Sequence, residues 1–123
     1  MGLVIPQLDE VWLVNLDPTI GSEIQKTRPC VIVSPDDMNQ LLRTVVVAPM
    51  THADRPYATR VNAKFQGSSG QIALDQIRSI DRQRLIRKLG RVTPEIGRTL
   101  SALLVEMFTR GQPVHHSPGS LTQ

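Results

Sequence analysis

The spacing of apolar and polar positions changes several times along the 123-residue chain, and each change predicts an element. Residues 10–16, EVWLVNL, alternate well enough to predict a strand. Asp17-Pro18-Thr19 breaks it, and a polar loop follows through Thr27. Residues 29–33 form a run rich in β-branched side chains, the pattern of a buried strand. Ser34-Pro35-Asp36-Asp37 then reads as a helix start, with Ser34 as N-cap and Pro35 in the first turn of a short helix over 36–42. TVVVA at 44–48 predicts a central strand closed by Pro49, and 51–59 a polar loop. Residues 60–64 and 71–74 predict two more strands joined by a Gly/Ser turn at 67–70, with 76–80 extending the second past a kink. After a basic stretch, Thr93-Pro94-Glu95 supplies a cap, a proline and an acid, a complete helix start. Ile96, Leu100, Leu103, Leu104, Met107 and Phe108 then fall on one face, which should pack on the sheet. The expectation is a single α+β domain over 1–110, of mostly antiparallel strands with a terminal helix, and a frayed tail over 111–123.

Composition narrows the function classes more than it selects one. A hydrophobic fraction of 40% suffices for one core. No apolar run approaches the ~20 residues of a membrane span, and the N-terminal MGLVIPQLDEVW lacks the pattern of a signal peptide. No membrane association is expected, and the cytoplasm is the default location. One cysteine, Cys30, excludes an intramolecular disulfide and a cysteine-based zinc site, and no metal or cofactor is expected. The adjacent histidines of the tail read as solvated. Net charge is only +3, but Arg78, Arg82, Arg84, Arg87, Lys88, Arg91 and Arg98 crowd one segment. That cluster reads either as a solvated face or as a phosphate-binding surface. Aromatic residues are too few for a stacking platform along a nucleic acid strand.

Candidate chemistry starts at the ends of two predicted core strands. In GSEIQKTRPCVIVS, Pro29 biases Arg28 toward an extended backbone and so fixes the direction of its side chain. A guanidinium there could form a salt bridge with Glu23 or fork onto a phosphate. Thr51 leaves the sheet after TVVVAPM, where a hydroxyl could cap a turn or bind a ligand. Nucleotide-binding loops and the zinc-protease and serine-hydrolase motifs are all missing.

Taken in order, EVWLVNLDPTIGSEIQKTRPCVIVS, VVVAPMT and GQIALDQIRSID resemble the MazF/PemK family of RNA-cleaving bacterial toxins, and TPEIGRTLSALLVEM extends the likeness to about residue 108. The resemblance implies a small SH3-like barrel with a C-terminal helix, a homodimer, and metal-independent cleavage of single-stranded RNA. It implies Arg28 and Thr51 as the catalytic pair. Attack of the RNA 2′-hydroxyl on its own phosphate would leave a 2′,3′-cyclic phosphate and a 5′-hydroxyl. A fixed cation such as Arg28 would stabilise the growing charge, and Thr51 would hold the phosphate. Arginine stays protonated and is a poor base, so Glu23 is a candidate general base, against the plainer role of neutralising Arg28. His52 is of a type suited to acid catalysis but has no place in the family pattern. Asp75 is an accessory candidate, with turn capping as the plain alternative. RNA contact is expected from Thr19, Ser22, Gln25, Lys26, Thr27, His52, Gln76 and Arg78. An acidic antitoxin protein is the expected partner. Two departures stand out: Ile24 follows the loop glutamate where many relatives have Gln, and Ala73 stands where some plasmid-encoded relatives carry a catalytic arginine. Both favour an Arg/Thr mechanism. The competing readings are a same-fold toxin that poisons a protein such as DNA gyrase, and a barrel that binds nucleic acid without cutting it.

Overall fold

The computed structural model describes residues 4–118. Seven strands and two helices follow one another as β1 (Glu10–Asn15), β2 (Thr27–Ile32), α1 (Asp36–Leu41), β3 (Thr44–Thr51), β4 (Arg60–Phe65), β5 (Ser68–Ala73), β6 (Arg78–Asp81), β7 (Leu85–Arg91) and α2 (Pro94–Met107). Every strand pair is antiparallel, in the order β4-β5-β3-β2-β1-β7. Along its free side β3 changes partner: Thr44–Val47 pairs with β6, and Met50 and Thr51 with β5. The sheet therefore curls into a half-barrel.

Both faces of that sheet are buried, and the two-residue period of a strand explains how. Val11, Val31, Ala48 and Met50 point to one side, where they meet Val61, Ile72 and Leu74 and the Ile96, Leu100 and Leu103 face of α2. Trp12, Val14, Cys30, Ile32, Val45 and Val47 point to the other and pack with Leu16 and Ile80. The helix start at Thr93 forms as its sequence predicts, with the hydroxyl accepting from the Ile96 amide at 3.2 Å. Phe108, expected on the packed face, is 73% exposed because the helix ends at Met107 and the chain turns away. Past α2, Val114 packs against the core and the His115 amide donates to Glu106 Oε1. Residues 119–123 of the expected tail lie outside the described residues.

Several elements differ from expectation for local reasons. Ser34 does not cap α1; Pro35 holds the N-cap position without a side-chain bond. The buried Ser34 hydroxyl instead donates to Asn39 Oδ1 and accepts from the Val46 amide, tying α1 to β3. Strand β3 runs through Pro49 to Thr51. The proline sits at the changeover from β6 to β5, where a missing ladder donor is tolerated. Residues 76–80 do not extend β5: a 3-10 turn at Leu74–Gln76 redirects the chain so that β6 pairs with the other end of β3. The basic stretch forms β7, with two register irregularities against β1.

Candidate active site

Arg28 and Thr51 are brought together by the strand register. The β2–β3 ladder pairs Ile32 with Val47, Val31 with Ala48 and Cys30 with Pro49. The ladder stops there, and the same register continued two steps would set Arg28 opposite Thr51. Both line a narrow cleft of about 100 Å³, with His52, Phe65, Ser69 and Gly70 on its other walls. Arg28 Nε donates to the Gln25 carbonyl at 2.8 Å, which anchors the guanidinium at its inner edge. Among the described residues no carboxylate pairs with it. Its outer donors therefore keep their capacity for a bidentate anion. Thr51 is only 7% exposed; its oxygen accepts from the Ala53 amide at 3.1 Å, which leaves its hydrogen to donate.

The cleft opens into two further hollows. Thr51 also lines a space of about 320 Å³ walled by Tyr57, Arg60 and Asp75. Ser22, Ile24, Asp75 and Gln76 continue from it into one of about 480 Å³ that holds Glu23 and Arg78. Linked by these shared lining residues, the three hollows make up one groove.

Most of the other predicted residues hold this groove in shape. Asp75 receives Arg60 Nε at 2.7 Å and Nη2 at 3.1 Å, and the Thr59 hydroxyl at 2.9 Å. Burial opposes its charge, but these bonds and the guanidinium outweigh burial and hold its carboxyl below the ordinary range. Gln76 bridges to the first loop, accepting from the Ile24 amide and donating to the Ser22 carbonyl. Arg78 donates to the Leu16 carbonyl at 2.9 Å. Asp17 Oδ1 accepts from the Lys26 amide and the Thr19 hydroxyl, closing the same loop. Glu23 accepts from the Ile20 amide at 2.9 Å and lines the hollow of about 480 Å³, not the Arg28–Thr51 cleft. Thr27 opens β2 with its side chain exposed, and Gln25 and Lys26 are likewise exposed in the loop before it.

The sequence held no signal for Arg60, which is 6% exposed, bidentate on Asp75 and stacked 5.2 Å from the Tyr57 ring centre. Its strand partner is Ala73, so its guanidinium rises from the position facing the small residue. Nor did it mark Gln71, which is buried and accepts from the Arg55 amide to pin the 53–56 loop beside the cleft. The arginine-rich segment is largely structural. Arg82 bonds the Asn39 carbonyl, Arg84 those of Asn15 and Asp17, and Arg91 that of Leu8, while Lys88 pairs with the buried Glu10 at 3.0 Å. Cys30 is fully buried, and burial pushes its thiol up to about 12, so it supplies no nucleophile.

Comparison with known proteins agrees with this architecture. Residues 9–108 match the family described as PemK-like, MazF-like toxin of type II toxin-antitoxin system. The chain belongs to that family. The Bacillus subtilis protein named endoribonuclease EndoA is 32% identical over 99 residues, spanning 76% of this chain and 85% of its own. The Mycobacterium tuberculosis protein named endoribonuclease MazF9 is 38% identical over 94 residues, spanning 68% of this chain and 80% of its own. Escherichia coli endoribonuclease PemK is 39% identical over 77 residues, a match spanning 58% of each protein. Among solved structures, MazF from Deinococcus radiodurans superposes with a TM-score of 0.75 at 24% identity, covering 85% of this chain and 96% of its own. A mycobacterial endoribonuclease solved with its cognate antitoxin gives 0.72 at 23% identity, covering 88% and 99%. These likenesses establish the fold. Among the described residues no helix is long and apolar enough to cross a membrane.

Proposed function

We propose that this toxin-family chain is a metal-independent endoribonuclease that cuts single-stranded RNA by attack of the 2′-hydroxyl on the adjacent phosphate. One observation carries the reading: a guanidinium free of carboxylates and a hydroxyl with a spare hydrogen face each other across one cleft. A phosphodiester seated there would place its non-bridging oxygens against Arg28, where charge grows in the transition state, and one of them against Thr51. The nucleophile is held by the substrate itself, so positioning and charge stabilisation suffice for a large acceleration. Flanking nucleotides would lie along the groove, where unstacked bases meet the loops at 17–27 and 51–59.

An acidic, partly disordered antitoxin segment that orders on binding would complement the same cationic cleft and shut it. Loss of inhibition should then parallel loss of RNA binding across variants of the Arg28 loop. A homodimer fits the exposed Val105 and Phe108 near the end of α2, and a monomeric mass in solution would exclude it.

Incubating the protein with a long RNA in EDTA, beside Arg28→Ala and Thr51→Ala, tests the nuclease. Discrete cuts with cyclic-phosphate ends are expected, weakened by about 10²-fold or more in each variant. RNA that stays intact while still bound would replace the enzyme with a binding module.

A further inference from the structure

The Arg28–Thr51 cleft contains a proton carrier. Its walls hold two ionisable side chains, Arg28 and His52. A guanidinium does not give up its proton in proteins, so among the cleft's side chains the imidazole is the one able to exchange a proton. Glu23 lines the far hollow with one oxygen bonded to its own loop, and Asp75 is held charged by Arg60. Neither carboxylate lines the cleft.

His52 is held in one orientation. Its Nδ1 lies 3.1 Å from the Ser69 carbonyl oxygen. A carbonyl only accepts, so Nδ1 carries hydrogen and donates, and the exchanging position is Nε2. The backbone bends at His52, just past the end of β3, which breaks the strand's alternation. Thr51 and His52 can therefore address the same cleft although they are sequence neighbours. β5 passes close enough to hold this arrangement. A Cβ at Gly70 would stand 2.7 Å from the Thr51 carbonyl oxygen and 3.8 Å from His52 Nδ1.

We infer that His52 is the general acid for the leaving group, a role that rests on the nuclease reading above. O2′ bonds to phosphorus as the P–O5′ bond breaks, and the 2′-hydroxyl proton passes to solvent water. The Nε2 proton of the imidazolium passes to O5′, leaving a 5′-hydroxyl and a neutral imidazole, which solvent reprotonates. The proton matters most at O5′, because an unprotonated alkoxide is a poor leaving group.

The test uses two chimeric oligonucleotides with one cleavable ribonucleotide, one with O5′ as the leaving atom and one with sulfur in its place. A thiolate departs without protonation. His52→Asn keeps a donor near the Nδ1 position for the Ser69 carbonyl but cannot exchange a proton. It should cut the oxygen substrate about 10²–10⁴-fold more slowly than the unaltered protein. On the sulfur substrate it should stay within a few-fold of the unaltered protein. Arg28→Ala should be slow on both. Full activity of His52→Asn on the oxygen substrate would overturn the assignment, as would an equal loss on both substrates. If the unaltered protein cleaves neither substrate, the nuclease reading itself fails and this role falls with it.

Discussion

Both oxygens of Asp75 are occupied, one by Arg60 Nε and the Thr59 hydroxyl and the other by Arg60 Nη2. A carboxylate so engaged is a poor proton acceptor and a good strut. It fixes the start of β4 and the wall shared by the two larger hollows. Its folded pKa lies below the ordinary value, so the stability it contributes is fully present above the unfolded aspartate pKa of about 3.9 and is lost as pH falls through the folded value. Asp75→Asn should therefore flatten the fall in melting temperature below about pH 4. Asp75→Ala strands the nearly buried Arg60 and should cost about 3 kcal/mol at pH 7, low in the range for broken buried pairs because Asp75 is itself 28% exposed. Denaturation of the three proteins across pH checks both. An acid limb of unchanged steepness in Asp75→Asn would mean that other carboxylates set the acid limit.

At the scale of elements, the junction of β3 and β5 controls the site. A methyl group at position 70 would collide with the Thr51 main chain, which is paired to β5 and cannot swing aside as a side chain could. Gly70→Ala should cost about 1–3 kcal/mol in stability, as overpacking does, and reduce cleavage by displacing Thr51 and the Ser69 carbonyl that holds His52. Urea denaturation and initial cleavage rates measure the two effects; normal values of both would show that the strands yield. Elements with local chemistry were legible from sequence. The cap at Thr93 needs three residues, and the strands of the buried core announce themselves by period and β-branching. β7 was not, because its LIRKLGR is mostly exposed, bulged against β1 and held by long-range bonds. Arg28 and Thr51 were legible as strand-end polar residues, but their shared cleft depends on a register that no local pattern specifies. The Arg60–Asp75 pair, fifteen residues apart, exists only once the 3-10 turn has folded the chain back.

Across the whole molecule the positive charge divides into two populations. The crowded segment at 78–98 spends Arg78, Arg82, Arg84 and Arg91 on main-chain carbonyls and Lys88 on Glu10. Along the groove, Arg28 and Arg55 make no ion pair among the described residues, and Arg78 also lines its far end. An RNA bound in the groove would thus neutralise about three phosphates, and for a single strand the slope of log K against log salt should be near −2. Binding across the arginine-rich face would engage about seven cations and bring the slope to about −5. The affinity of an uncleavable oligonucleotide, modified at the 2′ position and followed by fluorescence anisotropy over a salt series, separates the two. Arg28→Ala should lower the magnitude of the slope by about 0.7, whereas Arg87→Ala should leave it unchanged. A steep slope sensitive to Arg87 would move the RNA to the face that the fold uses for its own support.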